Sequence, residues 1–364
     1  MATQPARGPV PQLAALPHFT KTDYGIGIIG LGGVANWGHL PAYRHYGFNV
    51  VAAAAPREET REQARRTWGI PKLYASYEEL LADEAVEVVD VTVHHRSERQ
   101  RLKAGGGDYL RTDIVRDAVA AGKKGILMQK PLADTLARAK ELVELTRGSK
   151  TKLAVNQNGR WGPGHYVAKQ LVDLGFVGEV EAATIENVFP LPMSGIYMSM
   201  TVHHYDAIRC WLGREPTRIY ASLDPEKPLS ATMAVLDFPG GARASVLDMC
   251  GGRLGMGSPT SDQWERFRIE GTRGTIKGTH RWGPIMPPDS VEFYSELGPN
   301  AWVKLVLDDV FPEAGFRGAM GDLMQAIADD REPACGGADN LKTLEILFAS
   351  VRSAREGRAV ELPG

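Results

Sequence analysis

Three places in this sequence combine residue types and spacings that could do chemistry. The first is the turn Gly30-Leu31-Gly32-Gly33 with Ala35, a Gly-x-Gly-x-x-Ala pattern that directly follows the apolar run 26–29 and opens a helix-period segment. That order suits a dinucleotide: Gly30 permits a tight turn, Gly32 keeps side chains away from amides that can face a pyrophosphate, and Ala35 lets helix and strand pack closely. The helix N-terminus then faces the phosphates. An overlapping match, Gly25-x-Gly27-x-x-Gly30, lies inside the strand and is chance. A ribose-binding carboxylate would normally end the second strand, but the run 49–55 passes into Pro56-Arg57, with Arg61 just beyond. With no acid there and two arginines beside it, a 2'-phosphate meets positive charge, which favours NADP over NAD. The alternative is that Arg57 and Arg61 are solvated helix-start residues.

The second place is Gln129-Lys130-Pro131, ending the β-type run 125–129 at the carboxyl edge of a parallel sheet, where cofactors and substrates meet. A lysine beside a nicotinamide can hydrogen-bond a substrate oxygen and lower the pKa of a nearby hydroxyl. A lysine ending a strand is otherwise a solvent-exposed cap. The third is His203 with Asp206: if 202–212 is a helix, they lie three apart on one face and can point at one substrate. His203 and His204, being adjacent, diverge and make a poor pair of metal ligands, so no metal is expected and His204 is read as structural. His94 and His95 are read as loop residues.

The elements that must position these residues divide into two parts. From about 24 to 157, β-type runs at 25–29, 49–55, 86–93, 125–129 and 153–157 alternate with helix candidates at 58–68, 77–81, 113–121 and 135–147, the pattern of a doubly wound parallel sheet with a Rossmann-type dinucleotide domain. From 158 to 364 the strands at 178–188, 218–223, 231–238, 242–249, 264–270, 291–295 and 302–307 predict an α+β domain with one large, mostly antiparallel sheet for substrate binding and oligomerisation. Helices at 165–174, 202–212, 317–328 and 341–355 can cover only part of that sheet, so a homodimer or homotetramer is expected. Residues 1–23, with four prolines and no apolar signal-like core, are expected to be a disordered tail.

Composition narrows the partners. A chain of 364 residues with 43% hydrophobic and 24% charged content can bury a large core, and a net charge of -2 argues against nucleic acid or an anionic membrane. No apolar run is long enough to span a bilayer. Three widely spaced cysteines, Cys210, Cys250 and Cys335, with no Cys-x-x-Cys pair, fit a reducing cytoplasm. A small molecule is the expected partner.

Taken in order, the fingerprint, Gln129-Lys130-Pro131, Asn158-x-Arg160-Trp161-x-Pro163, His203-x-x-Asp206, Arg209-x-x-Leu212-Gly213 and Glu270-Gly271-Thr272-x-Gly274 resemble the Gfo/Idh/MocA proteins over nearly the whole chain. The resemblance implies a hydride-transferring dehydrogenase or reductase acting on a secondary alcohol or ketone of a sugar, polyol or sugar acid. It places the catalytic group on Lys130, His203 and Asp206: His203 would take the hydroxyl proton, Lys130 would polarise the oxygen, and Asp206 would hydrogen-bond substrate or imidazole. It also implies that Gly30, Gly32, Gly33, Ala35, Arg57, Gln129 and Lys130 hold the cofactor, NADP or NAD, and that Asn158, Arg160, Trp161 and Ser199 meet the carbohydrate-like substrate.

Three departures alter that picture. The family usually has Glu where Gln129 stands, and many dehydrogenase members have Asp where Ser199 precedes the histidine. The third is the segment 96–111, with Arg96, Arg99, Arg101, Lys103 and Arg111 around Gly105-Gly106-Gly107. It is read either as a lid that attracts an acidic sugar or as a solvated loop. Two other functions stay open: a redox-neutral isomerase or lyase that oxidises its substrate transiently, and a cofactor-binding sensor that has lost turnover.

Overall fold

The structure is a computed structural model that describes residues 8–93, 110–189, 197–224, 231–250, 264–282, 286–307 and 312–363. It forms two compact units, one of residues 18–158 with 315–341, the other of 1–17, 159–314 and 342–364.

The first unit is built on β1 (Ile26–Ile29), β2 (Val50–Ala54), β3 (Lys72–Tyr74), β4 (Val88–Val91), β5 (Gly125–Met128) and β6 (Lys152–Val155). They form one sheet in the order β3-β2-β1-β4-β5-β6, every pair parallel. Strands of such a sheet are covered on both faces, which is why β1, β4 and β5 are uninterrupted buried runs. The connections are a π-helical turn at Ala35–His39 leading into α1 (Leu40–Tyr46), then α2 (Glu58–Trp68), α3 (Tyr77–Leu81), α4 (Leu110–Ala120) and α5 (Leu136–Thr146). Ser76 and Glu79 form a capping box on α3, and Thr135 caps α5. The order reverses between β1 and β4, which opens a crevice at the carboxyl ends of those strands. The short edge strand β3 carries no sequence signal of its own and is defined by its pairing with Ala52–Ala54.

Residues 315–341, expected with the C-terminal domain, pack on this first unit instead. Helix α8 (Glu313–Ala328) brings the Phe316 ring 4.6 Å from that of His39, and no Cβ would fit at Gly38 beneath it. Farther along, Leu323 and Ile327 lie over Gly125, and Gly336 bridges Ala154 at the sheet edge. The opening segment also departs from a disordered tail at its described positions. Gly8 donates to the Leu297 carbonyl at 3.0 Å, Ala14 exchanges hydrogen bonds with Gln170, and Thr20 and Lys21 donate to Gln325. Local composition could not show these long-range partners.

The second unit carries a nine-stranded sheet in the order β14-β13-β12-β11-β7-β10-β9-β8-β15. Its strands are β7 (Val180–Phe189), β8 (Arg218–Ser222), β9 (Thr232–Asp237), β10 (Arg243–Cys250), β11 (Trp264–Gly271), β12 (Gly274–Thr279), β13 (Ser290–Ser295), β14 (Val303–Leu305) and β15 (Val360–Glu361). All pairs are antiparallel except β7 with β10. Helices α6 (Pro163–Asp173) and α7 (Val202–Leu212) pack on one face, α6 against β12 and β13 and α7 against β7 and β10. The final helix is α9 (Gly337–Glu356). The other face leaves Tyr220, Met233 and Val235 about half exposed, at 51%, 56% and 47%. No helix among the described residues is long and apolar enough to cross a membrane.

One buried charge fixes the loops at the carboxyl edge of the parallel sheet. Arg111 in the first turn of α4 is fully buried. Its Nε and Nη2 donate to the Val93 carbonyl at 3.1 and 2.7 Å, and its Nη1 donates to those of Pro131 and Leu132 at 2.5 and 3.0 Å. The guanidinium therefore ties the end of β4 to the turn after β5. This corrects the expectation for the 96–111 segment: Arg111 is a structural clamp and does not present its charge to a ligand, while Arg96, Arg99, Arg101, Lys103, His94 and His95 lie outside the described residues. Replacing Arg111 with Met strands several buried carbonyls and should cost at least about 3 kcal/mol in denaturant unfolding. Arg111→Lys should recover less than half of that, because a point charge cannot fork to three carbonyls. An Arg111→Met protein as stable as the parent would show the clamp to be incidental.

Candidate active site

The glycine turn has the local geometry its pattern predicts. Gly30 sits at φ +97°, where a side chain would be strained and its Cβ would come 3.0 Å from Thr92 Oγ1. Its N–H donates to the Ala54 carbonyl at 2.9 Å, and its own carbonyl accepts from Thr92 Oγ1 at 2.6 Å, so the turn is bonded to both neighbouring strands. Gly32 and Gly33 are exposed, and a Cβ on either would meet nothing within 4 Å. Ala35 behind them is fully buried. Asn36 donates to the Leu31 and Gly32 carbonyls, both at 2.9 Å, which stiffens the loop from the helix side. An open cradle of backbone amides at a helix start fits the pyrophosphate of a dinucleotide. At the end of β2, Arg61 Nη1 donates to the Ala55 and Pro56 carbonyls at 2.7 and 2.8 Å, whereas Arg57, the N-cap of α2, is exposed. Of the two arginines expected near the ribose, Arg61 thus braces the strand end.

Lys130 follows β5 through a turn whose Lys130–Pro131 peptide is cis. It is half-buried, and burial pushes its ammonium down to about 8. The preceding Gln129 was expected to touch the cofactor, but its side chain joins a buried network. Its Oε1 accepts from Asn156 Nδ2 at 2.7 Å and lies 3.4 Å from His39 Nε2. His39 Nδ1 donates to Asp90 Oδ2 at 2.7 Å, and the Tyr43 hydroxyl donates to the same oxygen at 2.7 Å. Gln129 therefore completes an interior that already holds the Asp90 carboxylate. A glutamate there would add a second buried negative charge, which gives the departure from the family's usual residue a physical reason.

The residues expected at the substrate side fall in and beside the turn Asn158–Trp161 and on α7. Asn158 and Trp161 are buried, and Ser199 is half-buried in the π-helical turn Tyr197–Thr201 that leads into α7. Asp206 is 1% exposed and accepts a two-pronged pair from Arg160, Nε to Oδ2 at 2.8 Å and Nη2 to Oδ1 at 2.7 Å, with Thr343 Oγ1 at 3.2 Å on Oδ1. Its carboxylate thus orients Arg160, where an imidazole or a substrate was expected as its partner.

His203 is 4% exposed, and its ring lies 5.0 Å from that of Trp282 at 40°. His204 turns the other way and is structural: Nδ1 lies 2.8 Å from Asp248 Oδ1, and Nε2 lies 3.0 Å from Glu265 Oε2. Burial alone would lower the His204 pKa, but the two carboxylates outweigh it and hold it up at about 10, so this ring is a fixed cation. Glu265 also accepts from His165 Nε2 at 2.7 Å and from the Trp282 indole N–H. Burial would raise its pKa, but His165 and His204 hold it well below the usual carboxylate range. Sequence reasoning missed Glu265 and Trp282. A signal for Glu265 was present, since it shares the alternation of Phe267 and Ile269 and so stands as an acid on the apolar face of β11.

Comparison with known proteins agrees with this architecture. Residues 24–157 match the model of an oxidoreductase family with an NAD-binding Rossmann fold, and residues 165–277 match the GFO/IDH/MocA C-terminal domain. A 1,5-anhydro-D-fructose reductase of Ensifer adhaerens is 25% identical over 354 residues, covering 92% of this chain and 98% of its own. An inositol 2-dehydrogenase of Rhizobium meliloti is 24% identical over 269 residues, 69% of this chain and 77% of its own. Among solved structures, levoglucosan dehydrogenase in complex with NADH and levoglucosan shares the fold with a TM-score of 0.77 at 19% identity, covering 94% of this chain and 100% of that one. With both halves matched and the sugar and inositol oxidoreductases among its relatives, the chain belongs to the GFO/IDH/MocA family of NAD-binding Rossmann-fold oxidoreductases.

Proposed function

We propose that the protein is an NAD(P)-dependent dehydrogenase or reductase acting on a secondary alcohol or ketone of a sugar, polyol or sugar acid. The observation that carries this reading is Lys130: a half-buried lysine at the carboxyl end of β5, with its ammonium held at about 8, in the unit that bears the dinucleotide turn. When bound, the nicotinamide supplies the hydride acceptor or donor. The amides around Gly32 and Gly33 bind its pyrophosphate, and Ala35 keeps the helix close behind them. Lys130 donates a hydrogen bond to the substrate oxygen and offsets the negative charge that grows there as its proton leaves. His203 takes that proton, and Asp206 serves by locking Arg160, which meets the substrate together with Asn158, Trp161 and Ser199.

The exposed Arg57 and the lack of a carboxylate at the end of β2 support NADP over NAD as cofactor. The half-exposed Tyr220, Met233 and Val235 on the open sheet face support a homodimer or homotetramer in which a second copy covers that face.

Polyols, aldoses and sugar acids should be screened for stoichiometric NAD(P)H formation; turnover of substrate without it would point to the redox-neutral alternative. Replacing Lys130 with Met should lower turnover by about 10²–10⁴-fold while dinucleotide affinity stays within a factor of about three. Because the reaction needs the charged ammonium, kcat/KM of the parent should fall as pH rises through about 8, a limb absent from the residual activity of Lys130→Arg. Unchanged turnover in Lys130→Met would remove Lys130 from the mechanism. Calorimetric titration should show tighter binding of NADP than NAD, with Arg57→Ala weakening NADP about tenfold and sparing NAD; a clear preference for NAD in the parent refutes that assignment. In sedimentation velocity the parent should run as an oligomer, and Met233→Lys with Val235→Lys should dissociate it. A parent that sediments as a monomer ends the oligomer reading.

A further inference from the structure

We propose that Trp282 and Glu265 are positioning residues for His203, joined to it by a chain of contacts that ends on a single carboxylate oxygen. This rests on the reading of His203 as the group that takes the substrate proton. The two consecutive histidines at the start of α7 are restrained differently but from one point. His204 is held directly, with Nε2 3.0 Å from Glu265 Oε2 and Nδ1 2.8 Å from Asp248 Oδ1, which pins the first turn of the helix. His203 is held through Trp282: the indole lies against the imidazole at 5.0 Å and 40°, and the indole N–H donates to the same Glu265 Oε2.

The indole has little freedom to move. It is 5% exposed, with the His280 ring edge-on at 4.6 Å and 82°, while His280 itself is fixed by Asp289 at 2.9 Å. Met200 and Met286 pack with it in one buried cluster. On its remaining side it rests on the backbone of Gly159, where a Cβ would come 2.6 Å from the end of the indole and 3.6 Å from His203 Cβ. The glycine between Asn158 and Arg160 is therefore required by the close approach of Trp282. A buried carboxylate that accepts from His165, His204 and Trp282 has its lone pairs directed by three elements, so it cannot shift without breaking all three bonds. The consequence for His203 is a ring plane set by a rigid partner, which matters because a displacement of about 1 Å in an acid/base group can cost about 10²-fold in rate.

The test compares Trp282→Phe, Trp282→Leu and Gly159→Ala with the parent and with His203→Gln, measuring kcat, KM, dinucleotide affinity and Tm. Phe keeps a ring against the imidazole but loses the N–H anchor, so kcat should fall about tenfold; Leu loses the plane, and kcat should fall about a hundredfold. Gly159→Ala, which displaces the indole without altering any functional group, should resemble Trp282→Phe. In all three, KM and dinucleotide affinity should stay within about threefold, and the rescue by Phe relative to Leu should appear in kcat. The inference is overturned if Trp282→Leu keeps kcat within threefold of the parent, or if Phe and Leu lose kcat equally and in step with Tm, as a purely structural side chain would. A Trp282→Leu chain that does not fold leaves Trp282→Phe and Gly159→Ala to decide, and parent-like kcat in both overturns it. If His203→Gln turns over like the parent, the reading of His203 itself fails; if His203→Gln is dead while the Trp282 variants are fully active, only the positioning role fails.

Discussion

A carboxylate removed from water must be met by donors, and in the C-terminal unit that constraint falls on Glu265. It stands on the apolar face of β11, fully buried, at the point where α6, α7 and the segment after β12 all reach the sheet. Burial of an unpaired carboxylate would cost several kcal/mol, so the surrounding elements are arranged to supply His165, His204 and the Trp282 indole. The charge of His204 follows from the same requirement. Between Glu265 and Asp248 the imidazole keeps its proton through the neutral range, and the helix bearing His203 is fastened to the sheet by ion pairs as well as by apolar packing. Such pairs add little net stability over a hydrophobic core but are costly to break singly, which favours one arrangement of the helix over its near alternatives.

The dinucleotide-binding unit solves a related problem with fewer charges. Asp90 on β4 is buried and accepts hydrogen bonds from His39 and Tyr43, and the outer edge of the same imidazole is closed by Asn156 and Gln129. This network lies directly before Lys130 in the chain, while Arg111 holds the carbonyls directly after it. Lys130 thus extends from a turn that is fixed on both sides by buried polar groups. Burial lowers its pKa, and the buried hydrogen bonds on either side fix its backbone.

Arg160 and Asp206 show how an expected catalytic residue can be displaced by one step. Both were expected to face a substrate, and the structure pairs them with each other in a two-pronged bridge. An arginine so held has the plane of its guanidinium fixed by the carboxylate.

The sequence by itself determined what depends on local order and periodicity. Gly30, Gly32 and Ala35 between an apolar strand and a helix marked the strand-turn-helix geometry, and the parallel sheet was legible because strands buried on both faces must be continuously apolar. The range 202–212 of α7 and the structural role of His204 could also be read, since adjacent helical residues diverge by about 100°. What only the tertiary structure decided were partners far apart in the chain: Phe316 against Gly38, Gln129 in the Asp90 network, Arg111 as a clamp between two loops, and Asp206 on Arg160. The reason is physical. A polar side chain can satisfy its hydrogen bonds in solvent, in a ligand or in the core, and its residue type is the same in each case; only the packing of distant segments settles which. Glu265 is the instructive residue, because its position on an apolar strand face announced a buried charge, but the three donors that justify that charge come from 165, 204 and 282, and no periodicity joins them.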